Sequence, residues 1–163
     1  MATPLNQCGA RPKGPVLRAS TYTTSGILYP GDLAILVNDG TVVVATAGAV
    51  TCVGVCLSYA ASGGEVLIAD DPAQRFIMTS DDSAIDAATD FNLNYAITAT
   101  AGSTAYRISR QRIDGSTGVT DTNYQLKVLK LYPAVKNDLG AGAECEFIIN
   151  NHAYKGGTGQ LGV

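Results

Sequence analysis

An all-β fold, a small β-barrel or sandwich built from hairpins, follows from three features of this sequence. Between residues 26 and 72, short runs rich in Val, Ile, Leu, Thr and Tyr are cut by PGD, NDG, AGA and SGG. Branched and aromatic residues suit a pleated, half-buried surface, and Gly, Pro, Asn and Asp supply the turns. No charge occurs between Asp39 and Glu65, so that stretch belongs in a core or against a partner. The chain is 46% hydrophobic and 15% charged, too apolar for disorder and too poor in Lys and Glu for a helical bundle. Its 163 residues suffice for one domain with a substantial core.

Residues 1–24 hold Pro4, Pro12 and Pro15 with Gly9 and Gly14. Proline fixes φ and lacks a donor, so the segment reads as an extended N-terminal arm, ordered on contact with another subunit. Strands are expected over 26–29, 33–37, 41–46, 50–59 and 65–69. NDG joins the second to the third through a positive-φ turn, and AGA joins the third to the fourth, which makes a β-meander. QRFIMTS at 74–80 reads as a strand. DDSAIDAATD, capped by Asp82 or Ser83, reads as one or two helical turns over 82–90. Strands at 93–100 and 104–109 precede a loop at 113–121. In YQLKVLKLY, Leu126 and Val128 alternate imperfectly with Lys127 and Lys130. ECEFIIN is the final strand of a core domain spanning 25–155, and 156–163 is a flexible, glycine-rich C-terminal tail.

With a net charge of −3, the molecule as a whole does not attract nucleic acid. Its charge is uneven, however. Arg11, Lys13 and Arg18 precede the first acid, Asp32, whereas Asp70, Asp71, Asp81, Asp82, Asp86 and Asp90 cluster with only Arg75 among them. A basic arm and an acidic flank suggest self-association or docking to a complementary surface. The start lacks the apolar stretch of a secretory signal. The run from Gly40 to Gly64 is only weakly apolar and is broken by glycines, so no membrane span is expected.

Reactive constellations are sparse. Cys8, Cys52, Cys56 and Cys145 contain no CxxC pair, and an even step places Cys52 and Cys56 on one side of a strand as buried free thiols. His152 stands alone and reads as a surface or interface residue. Asp82, Asp86 and Asp90 recur every four residues but lack the glycine and glutamate of a calcium loop. GSTG at 115–118 and GGTG at 156–159 lack the Lys-Ser/Thr of a phosphate loop. Arg107, Arg110 and Arg112 form a second basic cluster with little aromatic interleaving, better suited to acidic protein than to nucleic acid. No catalytic, cofactor or metal residues are expected, and the chain reads as non-enzymatic.

PGDLAIL, GAVTCVGVCLSYA, GGEVLIADDP leading into Phe76, and LKVLKLYPAVKNDLGAGAECEFIINNHAY follow one another in a familiar order. The stretch from about residue 20 to residue 155 resembles the capsid cement, or decoration, proteins of tailed bacteriophages. The order NDLG at Asn137, then FIINNH at Phe147, is its most distinctive part. The resemblance implies a small β-barrel on the outer face of an icosahedral shell, assembled in the host cytoplasm and bridging neighbouring major capsid protein subunits. It implies no catalytic residue. A homo-oligomer, with a trimer as one arrangement, suits that role. Extended arms and many weak contacts repeated by symmetry suit it too. Arg11, Lys13, Val16, Leu17, Arg18 and Tyr22 are the expected capsid or subunit contacts. The alternative is a ligand- or glycan-binding β-module on a virion or cell surface. The absence of Trp and a 7% aromatic content weigh against sugar stacking.

Overall fold

The computed structural model describes residues 8–48, 51–81, 85–120, 122 and 124–155. Two five-stranded antiparallel sheets pack in a sandwich-like arrangement, as the composition predicts. Sheet I has the order β2-β6-β5-β3-β4, built from β2 (Ala19–Thr23), β3 (Leu33–Leu36), β4 (Val42–Val44), β5 (Cys52–Cys56) and β6 (Glu65–Ala69). Sheet II has the order β1-β7-β12-β11-β8, from β1 (Arg11–Pro12), β7 (Phe76–Thr79), β8 (Asn94–Tyr95), β11 (Leu126–Leu131) and β12 (Glu144–Ile149). A two-stranded ribbon, β9 (Ile97–Thr98) with β10 (Arg112–Ile113), adjoins the end of β7 through a bridge from Ser80 to Ile113.

The turn chemistry works as the residues dictate. In Tyr29-Pro30-Gly31-Asp32, Asp32 N–H donates to the Tyr29 carbonyl at 3.0 Å with Gly31 at φ +94°. Proline fixes the first corner, and only glycine takes the second without strain. At NDG, Gly40 adopts φ +84° while Val37 and Thr41 close the β3–β4 hairpin at 2.8 Å. The meander is corrected one strand later. β5 pairs with β3 and β6, not with β4. Leu33 and Ala34 are fully buried, and β3 gains ladder partners on both sides by this placement. Sequence proximity alone does not reveal that choice.

The centre of sheet I buries side chains on both faces. Leu33, Cys52, Val55 and Ala69 join the larger core with Phe76, Met78, Val128, Cys145 and Phe147 of sheet II, where Phe76 and Phe147 stack at 5.7 Å. Ala34, Val42, Val53, Cys56, Val66 and Ile68 form a second core with Leu28 and Ala60. The sheet also curls: Thr24, just past β2, bridges Val42 of β4 and so links its two edge strands. The register slips between Ala34 and Ile35, leaving Val53 as an extra residue on β5. This β-bulge reverses the parity of the strand, which overturns the expectation that Cys52 and Cys56 share a side: they lie in different cores. Gly54 follows the bulge, where a Cβ would lie 2.7 Å from Ile68 Cγ2 and would also strike the Ala69 carbonyl. A second register shift, between Val128 and Lys130, explains the imperfect alternation of β11.

Other expectations change too. Residues 26–29 make a single bridge, Leu28 to Ala60, instead of a strand. Residues 104–107 are a turn closed by Ser103 and Ile108, because positive φ at Arg107 breaks the extended run. Of the helix expected over 82–90, the described part, 85–90, holds a 3-10 turn at Ala88–Asp90, where the Asp90 carboxylate accepts the Asp86 and Ala87 N–H groups. Its capping residues Asp82 and Ser83 lie outside the described residues, as do the tail at 156–163 and residues 1–7. The weakly apolar run at 40–64 is divided among strands, and no helix among the described residues is long and apolar enough to cross a membrane. The NDLG motif has a structural role. The Asn137 amide donates to the Tyr132 and Glu144 carbonyls at 2.6 and 2.8 Å and accepts from Glu144 N–H at 2.9 Å, stapling the β11–β12 connection.

Residues 8–24 correct the expectation of an arm that orders only on contact. β1 pairs with β7 at the edge of sheet II, and β2 pairs along its whole length with β6 at the edge of sheet I. Both are edge strands, which accommodates Pro12. The core therefore begins well before residue 25.

Gly54→Ala is expected to lower unfolding free energy by about 3 kcal/mol through overpacking against backbone. Gly26→Ala, which meets nothing within 4 Å, should shift it by less than about 0.5 kcal/mol. Urea denaturation of both variants checks this.

Candidate functional site

The segment from β1 to β2 crosses from one sheet edge to the other and carries all six expected contact residues. Arg11 and Lys13 lie over the outer face of sheet II. Pairing places Arg11, Ile77, Glu146 and Lys130 in one row across β1, β7, β12 and β11. Arg11 donates to Glu144 at 2.8 Å, and its guanidinium lies 5.7 Å from the Tyr132 ring centre. Glu146 has no exposed side-chain surface. Lys13 Nζ approaches it at 2.9 Å, Arg75 at 3.7 Å and Lys130 at 3.8 Å. A buried carboxylate without such partners would be costly.

Arg18 and Tyr22 belong to a second group, on sheet I. Arg18 Nε meets Asp70 Oδ1 at 2.9 Å and its terminal nitrogen donates to the Asp70 carbonyl at 2.8 Å. Tyr22 donates its hydroxyl proton to Asp70 Oδ2 at 2.7 Å, so Tyr154 is the donor in the 2.7 Å contact between the two tyrosine hydroxyls. Burial opposes ionisation of Asp70, but hydrogen bonds from Tyr22 and Arg18 outweigh it and hold the carboxyl below its usual range. Tyr22 is pushed above its ordinary value by burial and by its contact with Tyr154. The expected basic residues are therefore already engaged within the chain.

Val16 and Leu17 differ from the rest. They stand 40% and 59% exposed on the crossover, and Leu17 N–H is fixed by the Gln74 side chain at 2.8 Å. Lys13, Gly14, Pro15, Ala73, Gln74 and Arg75 line a shallow cleft beside Leu17. The arrangement is an apolar knob among cations, held in position by ion pairs on either side of it. It can bury apolar area against a flat partner without first ordering a loop.

Chemistry elsewhere is muted. Burial pushes the Cys52 and Cys145 thiols up to about 12, and the Cys56 thiol is likewise raised. They are protonated at neutral pH and poor nucleophiles. Among the described residues no group of three His, Cys, Asp or Glu side chains could hold a metal. His152 is fully buried, correcting the expectation of a surface or interface residue. The chain returns from sheet II to sheet I here: Cys52 N–H donates to the Asn151 carbonyl at 2.9 Å, and Tyr154 N–H donates to His152 Nδ1 at 3.0 Å. Periodicity offers no signal for such a crossing. No protein-family model and no curated protein sequence matches this chain.

Burial, aided by Lys155, lowers His152 to about 4 from its ordinary 6.5. The unfolded chain thus binds a proton more readily. Stability from this group is complete above pH 6.5 and is lost as pH falls toward 4, by about 3 kcal/mol. Asp32, raised by burial, acts in the opposite sense. Urea titrations from pH 7 to 4 should show the loss, and His152→Gln should flatten that slope.

Proposed function

We propose that this chain is a non-enzymatic virion structural protein that decorates the outer capsid surface of a tailed bacteriophage and bridges neighbouring major capsid subunits. The crossover carries this reading: Val16 and Leu17 are lifted into solvent while Lys13 and Arg18 on either side are bound into the two sheets. A repeated particle surface rewards a rigid projection of modest area, because many equivalent sites add avidity. The NDLG and FIINNH order and the all-β frame also support decoration. The cations that flank the knob are internally paired, so they contribute to approach more weakly than a free basic arm would.

Shells lacking the protein, mixed with purified chain, sedimented and imaged, test the proposal. Wild-type protein is expected to occupy regular outer sites. Val16→Asp with Leu17→Asp should weaken binding about 10- to 100-fold through lost apolar burial, with an unchanged melting temperature. Absence of wild-type binding would overturn decoration. Full occupancy by the folded double variant would overturn the crossover as the contact.

A further inference from the structure

The six arginines of the sequence divide into two sets. Arg11, Arg18 and Arg75 face carboxylates, and Arg107 lies 4.6 Å over the Tyr59 ring. Arg110 and Arg112 have no salt-bridge partner among the described residues. These two share one cleft of about 290 Å³ with Cys8, Asp81, Thr98 and Thr100. Arg110 is exposed and Arg112 half-buried. The Arg112 backbone is held by β9 pairing and by the Thr98 hydroxyl, which accepts its N–H at 3.1 Å. Its terminal nitrogen contacts Cys8 Sγ at 3.6 Å. A thiol sulfur is a weak acceptor and leaves the guanidinium charge uncompensated.

We propose that this cleft receives a single carboxylate side chain from an acidic segment of another protein. Guanidinium geometry matches a carboxylate, two N–H groups facing two oxygens. Charge decides between anions. Asp81 lines the same cleft, its Oδ1 already accepting Gly115 N–H at 3.1 Å. Among the described lining residues, two arginines against one aspartate leave a single positive charge, which one carboxylate neutralises and a phosphate near charge −2 overshoots. Thr100, an exposed residue, also lines the cleft. None of these residues belongs to the apolar knob, so the site extends the contacts of the chain beyond decoration through the crossover.

The test is an NMR titration of the full chain, following the arginine Nε–H resonances. The probes are acetyl-Gly-Glu-Gly-amide, its Gln counterpart and inorganic phosphate. The Glu peptide should shift Arg110 and Arg112 saturably, about tenfold more tightly than either comparison probe. Arg112→Gln should abolish the shifts. Arg110→Gln, at an exposed position that leaves the fold undisturbed, should weaken binding about fivefold. Absence of saturation, equal response to the Gln peptide, tighter phosphate binding, or unchanged affinity in Arg110→Gln would each overturn the proposal.

Discussion

Glu146 sits without solvent exposure on the outer face of sheet II, and the charge it carries constrains everything around it. Its cations come from three places: Lys13 on the crossover, Arg75 before β7, and Lys130 on β11. A charge in such a position needs compensation, since stranding one partner of a buried pair costs about 3–5 kcal/mol. The crossover is therefore tied to the centre of the sheet, and Arg11 with Glu144 repeats the tie two residues away along β12. At the other end Arg18 and Tyr22 converge on Asp70. The stretch between, with Val16 and Leu17 at its crest, inherits its rigidity from both anchors.

The second organising device is the bulge. Sheet I must bury apolar side chains on both faces, and a strictly alternating strand would send every second residue to the same core. The extra residue at Val53 shifts that alternation partway along β5, so that Cys52 and Cys56 fall in different cores, and Gly54 admits the close approach of β6 beside the bulge. At Leu129 the same device returns Leu131 to the core side after Lys130 faces outward.

These features mark how far the sequence can be read. Strand composition and the PGD and NDG turns predict β3, β4, β6, β7, β11 and β12 well, because both signals are local. Pairing order is another matter. The placement of β5 between β3 and β6 depends on which edges lack partners, a property no short window contains. Side-chain amides that stand in for backbone partners are equally hidden. Gln111 accepts from Leu33 N–H at 2.8 Å and donates to the Ala45 carbonyl at 3.1 Å, and Gln125 donates to the Thr46 carbonyl at 2.8 Å. Along the segment from β1 to β2 the sequence shows which residues are basic and which apolar, but not what they pair with. Arg11, Lys13 and Arg18 read as free charges only until Glu144, Glu146 and Asp70 are brought to them by strands far along the chain.

A rigid knob requires the crossover to be a built part of the fold and not an arm awaiting a partner. Amide hydrogen exchange in the isolated chain tests this most directly, since exchange reports local opening free energy. If β2 is an integral edge strand, its β6-bonded amides and Leu17 N–H should be protected about 100-fold or more over an unstructured chain. Exchange of residues 11–23 at unstructured-chain rates, with β7 and β12 still protected, would contradict the account.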